Sequence, residues 1–199
     1  MNTRWGMFGG SFDPVHYGHL VVAELLRELE RLDGVLFIPA WRSPHKSRTR
    51  AAGAHRLAML RLALRGNPAL RVSAVELRRG GPSYSIDTVR RLRRRWGRRP
   101  TLLLGGDALL DLSKWRESDA LLREARVVVF ARPGAEAAAR RARALGLRYH
   151  EVALSSVSSS TLRRMLRRGF SIRYQVPETV RRYIERHSLY GSGAARRSR

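Results

Sequence analysis

Residues Met7 to Leu20, MFGGSFDPVHYGHL, constrain the chain more than any other stretch. Met7 and Phe8 close an apolar run, as the end of a short strand does. Gly9 and Gly10 follow, and glycine lets the backbone take positive φ or come close to a ligand. Asp13-Pro14 favours a turn. From Tyr17 the apolar spacing becomes helical through Leu20, Val21, Ala23, Leu25 and Leu26. A strand, a glycine turn and a helix opened by His16 and His19 therefore follow one another directly. The two histidines are three positions apart, so a helical first turn puts them on one face. A helix N-terminus offers free N–H groups and the positive end of the helix dipole to an anion. Imidazoles beside it donate hydrogen bonds to phosphate oxygens. Each piece alone is ordinary: paired glycines occur in many turns, and histidine pairs are often structural. Their combination in one strand-turn-helix is what points to phosphate. The stretch is neither a GxxxxGK[ST] loop nor a GxGxxG fingerprint.

The remaining chain alternates helix and strand patterns, which predicts an α/β fold with an open, mostly parallel sheet and helices on both faces. Strands are expected at Arg4–Gly9, Val35–Pro39, Arg71–Leu77, Thr101–Leu104, Arg126–Ala131 and Leu147–Val152. Helices are expected at Tyr17–Leu32, Ala51–Leu64, Ser85–Trp96, after Gly106, at Ser118–Arg123, Ala135–Leu145, Ser158–Arg168 and Pro177–His187. No repeat or linker divides the sequence, so residues 1–190 are expected to form one domain. Residues 191–199 read as a disordered basic tail. In open parallel sheets ligands lie beyond the carboxyl ends of the strands. Gly9-Gly10, the loop after Pro39, Gly105–Asp107 and the turn after Ala131 are expected to cluster there.

Composition narrows the class. The 199 residues are 43% hydrophobic and contain no cysteine, which leaves room for a core and none for disulfides or thiolate metal sites. No apolar run approaches the ~18 residues of a membrane span, and no signal peptide fits before the first strand. A cytoplasmic location follows as the expectation. The net charge of +24 raises the thought of nucleic acid. The arginines, however, are spread along the whole chain, with only Lys46 and Lys114 as lysines, and no aromatic-interleaved RNA motif or zinc knuckle accompanies them. No specific nucleic-acid partner is expected.

Four further constellations carry polar chemistry. Pro44-His45-Lys46 follows the second strand, and keeping a lysine in so arginine-rich a chain suggests a site that wants a compact charge. Ser83–Thr88 precedes a helix, where Ser85 or Asp87 serves equally well as a plain cap. Gly105-Gly106-Asp107 ends a strand with a carboxylate that suits ribose hydroxyls, and Trp115 beyond it either stacks on a ring or fills the core. Ser158–Arg163 opens a late helix with hydroxyls, free N–H groups and a forked donor.

GxFDPxHxGH, on Gly10–His19, resembles the signature of the HxGH nucleotidyltransferases. These have a Rossmann-like fold and transfer a nucleotidyl group by in-line attack on the α-phosphate of a nucleoside triphosphate. Pro44-His45-Lys46 is similar to the nicotinate-nucleotide adenylyltransferases within that superfamily. So are Ser83–Thr88 (SYSIDT for the usual SYTxDT), Gly105–Trp115 (GxDxLxxxxxW), Val157–Arg163 (for ISSTxIR) and Val176–Tyr190 (VPxxVxxYIxxHxLY, read as packing). The resemblance implies ATP and nicotinate mononucleotide as substrates, with nicotinate adenine dinucleotide and pyrophosphate as products. It implies catalytic roles for His16, His19, Lys46 and Arg163. It assigns ATP to Gly9, Gly10, Ser11, Phe12, His16, His19, Asp107, Ser158, Ser159, Ser160 and Arg163. It assigns the mononucleotide to Ser11, Lys46, Ser85, Trp115 and Arg132. Mg²⁺ is expected on the ATP phosphates, with no dedicated protein metal site. A homo-oligomer is compatible with it. Two alternatives stay open: a sister enzyme using nicotinamide mononucleotide or phosphopantetheine, and a basic nucleic-acid-binding protein with a degenerate fold.

Overall fold

The structure, a computed structural model, describes residues 4–44, 49–153 and 157–192. Within them β1 (Trp5–Gly10), β2 (Gly34–Pro39), β3 (Leu70–Val72), β4 (Thr101–Gly105), β5 (Arg126–Ala131) and β6 (Arg148–Glu151) form one sheet. The order is β3-β2-β1-β4-β5-β6 and every pairing is parallel. The helices are α1 (Tyr17–Leu29), α2 (Gly53–Ala63), α3 (Val75–Arg79), α4 (Ser85–Trp96), α5 (Gly106–Leu110), α6 (Ser118–Glu124), α7 (Glu136–Ala144), α8 (Ser159–Arg167) and α9 (Glu178–Arg186). The expected α/β architecture is therefore the observed one. Among the described residues no helix is long and apolar enough to cross a membrane.

The period of two along each strand sorts side chains onto two faces. Phe8, Phe37, Leu103 and Val128 meet Val22, Leu26, Leu60, Leu162 and Ile184 in one core. Met7, Ile38, Leu102, Leu104, Val127 and Val129 meet Val89, Leu92, Leu121 and Ala142 in the other. Helices α1, α2, α8 and α9 thus cover one face, and α4 to α7 cover its opposite. Both faces are buried, which is why the strands read as apolar runs.

At the far end of α1 the buried Glu30 carboxylate gathers Arg126 Nη2 at 2.7 Å, Arg148 Nε at 2.9 Å and His150 Nε2 at 2.6 Å. This ties the helix to β5 and β6 and sets the direction in which its other end points.

Two expected boundaries move. Helix α1 stops at Leu29, because Arg31 takes φ +50° and the N–H of Leu32 donates to the Arg27 carbonyl at 2.8 Å. That is a left-handed helix stop built without the usual glycine. The strand expected at Arg71–Leu77 ends at Val72, and Val75–Arg79 turns helical instead. Val75 joins the second core, and the buried Glu76 accepts a hydrogen bond from Thr88 Oγ1 at 2.6 Å. An extended segment at this edge would leave that carboxylate without its partner. At the C-terminus Leu189–Gly191 forms a 3-10 turn and Ser192 Oγ donates to the Ile184 carbonyl at 3.2 Å. Residues 193–199 of the expected tail lie outside the described residues.

Candidate active site

Strand β1 lies between β2 and β4, where the order of strands reverses. A crevice opens at the carboxyl ends of strands at such a switch point. The β1 end is Gly9-Gly10, and the loop beyond it runs straight into α1. Gly10 is closely packed there: a Cβ would come 3.0 Å from Phe12 Cζ, and Phe12 itself takes φ +48° with its ring buried. Around Gly9 nothing lies within 4 Å of where a Cβ would stand, and the residue is exposed.

His16 is the N-cap of α1 and His19 stands one turn in. Their rings stack with centroids 3.7 Å apart and planes at 30°. Phe8 and Phe12 set their edges against His19 at 6.2 and 5.0 Å, fixing its plane. The His16 backbone N–H donates to His19 Nδ1 at 3.3 Å. An accepting Nδ1 carries no proton, so the ring presents its N–H at Nε2. Gly18 makes the stack possible: a Cβ on it would stand 3.0 Å from His16 Nδ1 and 3.1 Å from Cε1. His16 is 6% exposed, and its Nδ1 is buried without a hydrogen-bond partner.

Burial, reinforced by the Arg132 charge, lowers the His16 pKa to about 4 from its ordinary value of 6.5. His16 is therefore a neutral imidazole at pH 7. The unfolded chain protonates this side chain below about pH 6.5, while the folded one resists until about 4. The stability that His16 contributes is thus complete above pH 6.5 and is lost as pH falls to 4. We expect His16→Gln to reduce the stability lost between pH 6.5 and 4 by about 3 kcal/mol, read by urea melts across that range. An unchanged pH dependence would contradict the burial argument.

Asp13 holds the loop from beneath. It is 3% exposed. Its Oδ2 accepts from the Arg50 N–H at 2.7 Å, and its Oδ1 accepts from the Ala51 N–H at 3.1 Å and Tyr190 OH at 2.7 Å. Its carbonyl accepts from Arg163 Nη1 at 2.7 Å. Arg56, buried on α2, donates to the Ser11 carbonyl at 2.8 Å, to Ala51 at 3.2 Å and to Trp41 at 3.4 Å. Ser158 caps α8 by accepting from the Thr161 N–H at 3.1 Å, and Ser159 Oγ donates to the Pro14 carbonyl at 2.9 Å. The opening motif and the Ser158–Arg163 segment are therefore in direct contact.

The other expected residues sit around this centre. Lys46 and its neighbour His45 lie outside the described residues. The start of their loop is tied to the segment before α4, since the Trp41 N–H donates to Ser83 Oγ at 2.9 Å and the Ser83 N–H to the Arg42 carbonyl at 2.8 Å. Ser85 opens α4, where Tyr84 is covered by the Arg116 guanidinium at 4.9 Å. Trp115, next to Arg116 in the chain, is half-buried and packs against the second core. Asp107 is exposed in the first turn of α5 at the end of β4. Arg132 is exposed just beyond β5, within electrostatic reach of His16. Ser160 is exposed in the first turn of α8.

Asp13, Arg56 and Tyr190 were missed by sequence reasoning as site builders. The sequence gives Asp13 a place in the GxFDPxHxGH signature and a turn, and Tyr190 a place in packing, but no role to either in holding the site. Arg56 is one of forty basic residues and carries no signal of its own.

Fold and site together define a nucleotidyltransferase-type α/β protein, with imidazole, guanidinium and hydroxyl groups gathered at the switch point. Residues 7–165 match the cytidylyltransferase-like family. The chain is 44% identical over 199 residues to a protein of Thermomicrobium roseum, covering 94% of this chain and 92% of that one. It is 46% identical over 192 residues to a protein of Roseiflexus, covering 93% and 96%. Both relatives bear the name "Probable nicotinate-nucleotide adenylyltransferase". A solved structure of Plasmodium falciparum nicotinic acid mononucleotide adenylyltransferase complexed with NaAD shares the fold, with TM-score 0.77 at 18% identity over 96% of this chain and 99% of that one. The chain belongs to the cytidylyltransferase-like family and, within it, to the nicotinate-nucleotide adenylyltransferases.

Proposed function

We propose that this chain transfers the adenylyl group of ATP to nicotinate mononucleotide, releasing pyrophosphate and forming nicotinate adenine dinucleotide, in the cytoplasm. The observation that carries the reading is the stacked His16–His19 pair at the head of α1, directly after the Gly9–Phe12 turn at the sheet's switch point. The relatives' names support the choice of acceptor.

The chemistry is one displacement at phosphorus. A phosphate oxygen of the mononucleotide attacks the α-phosphorus, the bond from that phosphorus to the α,β-bridging oxygen breaks, and pyrophosphate departs with its electrons. The nucleophile is already an anion, so no general base is needed. The protein's work is alignment and neutralisation of developing charge. His19 Nε2 donates to the transferring phosphoryl oxygens. His16, kept neutral by burial, lines the same turn and donates without adding charge. Backbone N–H groups of Gly9 to Phe12, with Ser11, cradle phosphate. Arg163 is tethered to the Asp13 carbonyl by one guanidinium nitrogen and keeps further donors for the departing phosphates; Lys46 is assigned the same work. Asp107 and Ser158–Ser160 hold the adenosine half, and Ser85 and Trp115 the nicotinate half. Arg132, exposed just beyond β5, is assigned with them to the nicotinate half.

We keep Mg²⁺ on the nucleotide. The side chains massed here are imidazole, guanidinium and hydroxyl, which suit phosphate oxygens rather than a hard cation, and both Asp13 carboxylate oxygens are already taken. When bound, the cation would neutralise the triphosphate and the leaving pyrophosphate.

Initial rates with ATP and each of nicotinate mononucleotide, nicotinamide mononucleotide and phosphopantetheine test the reading. We expect a clear preference for the first, and Trp115→Ala should chiefly raise its apparent KM, by about tenfold for one lost stacking contact. Preference for either other acceptor overturns the assignment, and an effect of Trp115→Ala confined to ATP would move that ring to the other half of the cleft.

A further inference from the structure

The groups that hold Asp13 also enclose a second space. Arg50, Arg167, Tyr190 and Gly191 line a cavity of about 510 Å³, within the roughly 300–1,000 Å³ of small-molecule sites. Its walls are tied to Asp13. The Arg50 N–H and Tyr190 OH donate to the carboxylate. Arg167 stands one helical turn beyond Arg163 on α8, and Arg163 holds the Asp13 carbonyl. None of the four belongs to the groups assigned to ATP, the mononucleotide or catalysis.

The charge of this cavity is uncompensated. All sixteen acids of the chain lie among the described residues, since 1–3, 45–48, 154–156 and 193–199 contain none. No ion pair among the described residues joins Arg50 or Arg167 to any of them. The counter-charge therefore comes from outside the chain. Unpaired arginines are common where forty basic residues face sixteen acids. This pair is set apart because both line one cavity, and a guanidinium presents its donors as a fork that fits phosphate.

The backbone of one wall is strained. Ser188 takes φ +48° and Tyr190 φ +61°, with Gly191 following at +84°. Non-glycine residues in that region are uncommon, and such strain collects at ligand sites. The Tyr190 bond to Asp13 and the Ser192 bond to the Ile184 carbonyl pin the turn. The turn carries Gly191 close to α8, where a Cβ on it would stand 3.6 Å from Arg167 Cγ.

We propose that this cavity is a second anion site, which takes two or three linked phosphates, either as free pyrophosphate or at the end of a nucleotide. It is separate from the groups that act on the α-phosphorus, and its occupancy is a matter of binding alone.

Calorimetric titration of the full chain with inorganic pyrophosphate tests this. It is run without magnesium at 0.15 M salt, where exposed charges more than about 8 Å apart are screened. Wild type should bind two pyrophosphates, one at the reaction site and one in the cavity. Arg50→Gln with Arg167→Gln should bind one, the cavity weakening by about tenfold for each arginine lost, while initial rates of adenylyl transfer stay within twofold. Arg94→Gln with Arg95→Gln removes the same charge from exposed positions on α4 and should leave both sites intact. Arg167→Lys, which keeps the charge and loses the fork, should weaken the cavity only in part; it serves as the test if the double glutamine chain fails to fold by circular dichroism. ATP added to the loaded chain names the source: release of both pyrophosphates assigns the cavity to a nucleotide's phosphates, and release of one assigns it to free pyrophosphate. A wild type that binds one and a glutamine variant that binds none, with no adenylyl transfer by either, would uphold the cavity and refute the reaction. Pyrophosphate binding unchanged by the Arg50 and Arg167 substitutions, or weakened no more than in the Arg94 and Arg95 control, overturns the proposal. So does a loss of adenylyl transfer together with pyrophosphate, which would merge the cavity with the reaction site.

Discussion

His19→Ala should lower kcat by about 10²- to 10³-fold, the loss seen when one donor to developing charge is removed, while KM for ATP changes little. The argument is geometric. The ring is held by Phe8, Phe12 and the His16 stack, and its Nδ1 accepts from the His16 N–H, so the ring carries its N–H at Nε2. A donor fixed before substrate arrives reorganises little during reaction, and its benefit appears in turnover rather than in ground-state binding. His19 is only half-buried, so the alanine chain should melt near the wild-type temperature. Steady-state rates with the melting temperature measured on the same preparation check both halves. Turnover within fivefold of wild type would remove His19 from the mechanism.

Asp13→Ala should cost both stability and activity. The carboxylate accepts from two backbone N–H groups and a tyrosine hydroxyl in a site closed to water. Removing it strands those donors, and each unsatisfied one costs about 1–3 kcal/mol. A total loss of about 3 kcal/mol or more corresponds to roughly 6–12 °C in Tm for a chain of this size. Turnover should fall as well, because the same residue's carbonyl anchors Arg163 and its backbone leads into His16. Tyr190→Phe removes one of the three side-chain bonds and should cost about 1 kcal/mol. Thermal melts and rates on the pair of variants separate the contributions; equal melting of Asp13→Ala and wild type would show that Asp13 is not the anchor of the loop.

The sequence shows the phosphate end of the site more clearly than it shows what supports it. Gly9, Gly10, His16 and His19 fall in one short stretch, so their meeting needs only local structure. The alternation of buried strands and helices likewise announces a parallel sheet, and the sheet brings the ends of β1, β2, β4 and β5 together. Asp13 is different. Its meaning lies in Ala51 and Tyr190, brought to it from distant parts of the chain, and no local pattern encodes those meetings. Arg56 is hidden by abundance, since a buried guanidinium looks like every solvated one until its three carbonyl acceptors are seen. The short β3 misleads for a related reason: Val-Ser-Ala-Val-Glu-Leu alternates like a strand, but the tertiary bond between Glu76 and Thr88 decides in favour of helix. Arg31 ends α1 in a conformation that usually asks for glycine, which is why the helix reads as longer than it is.

The account's central claim is that the site aligns two nucleotides for one direct displacement, with no adenylyl group ever resting on His16 or His19. ATP made chiral at its α-phosphorus by a single sulfur substitution, with nicotinate mononucleotide as acceptor, tests it most directly. One in-line displacement inverts the configuration at phosphorus in the dinucleotide product, and inversion is the result predicted. Retention would mean two displacements through a covalent adenylyl-enzyme, and would contradict the account.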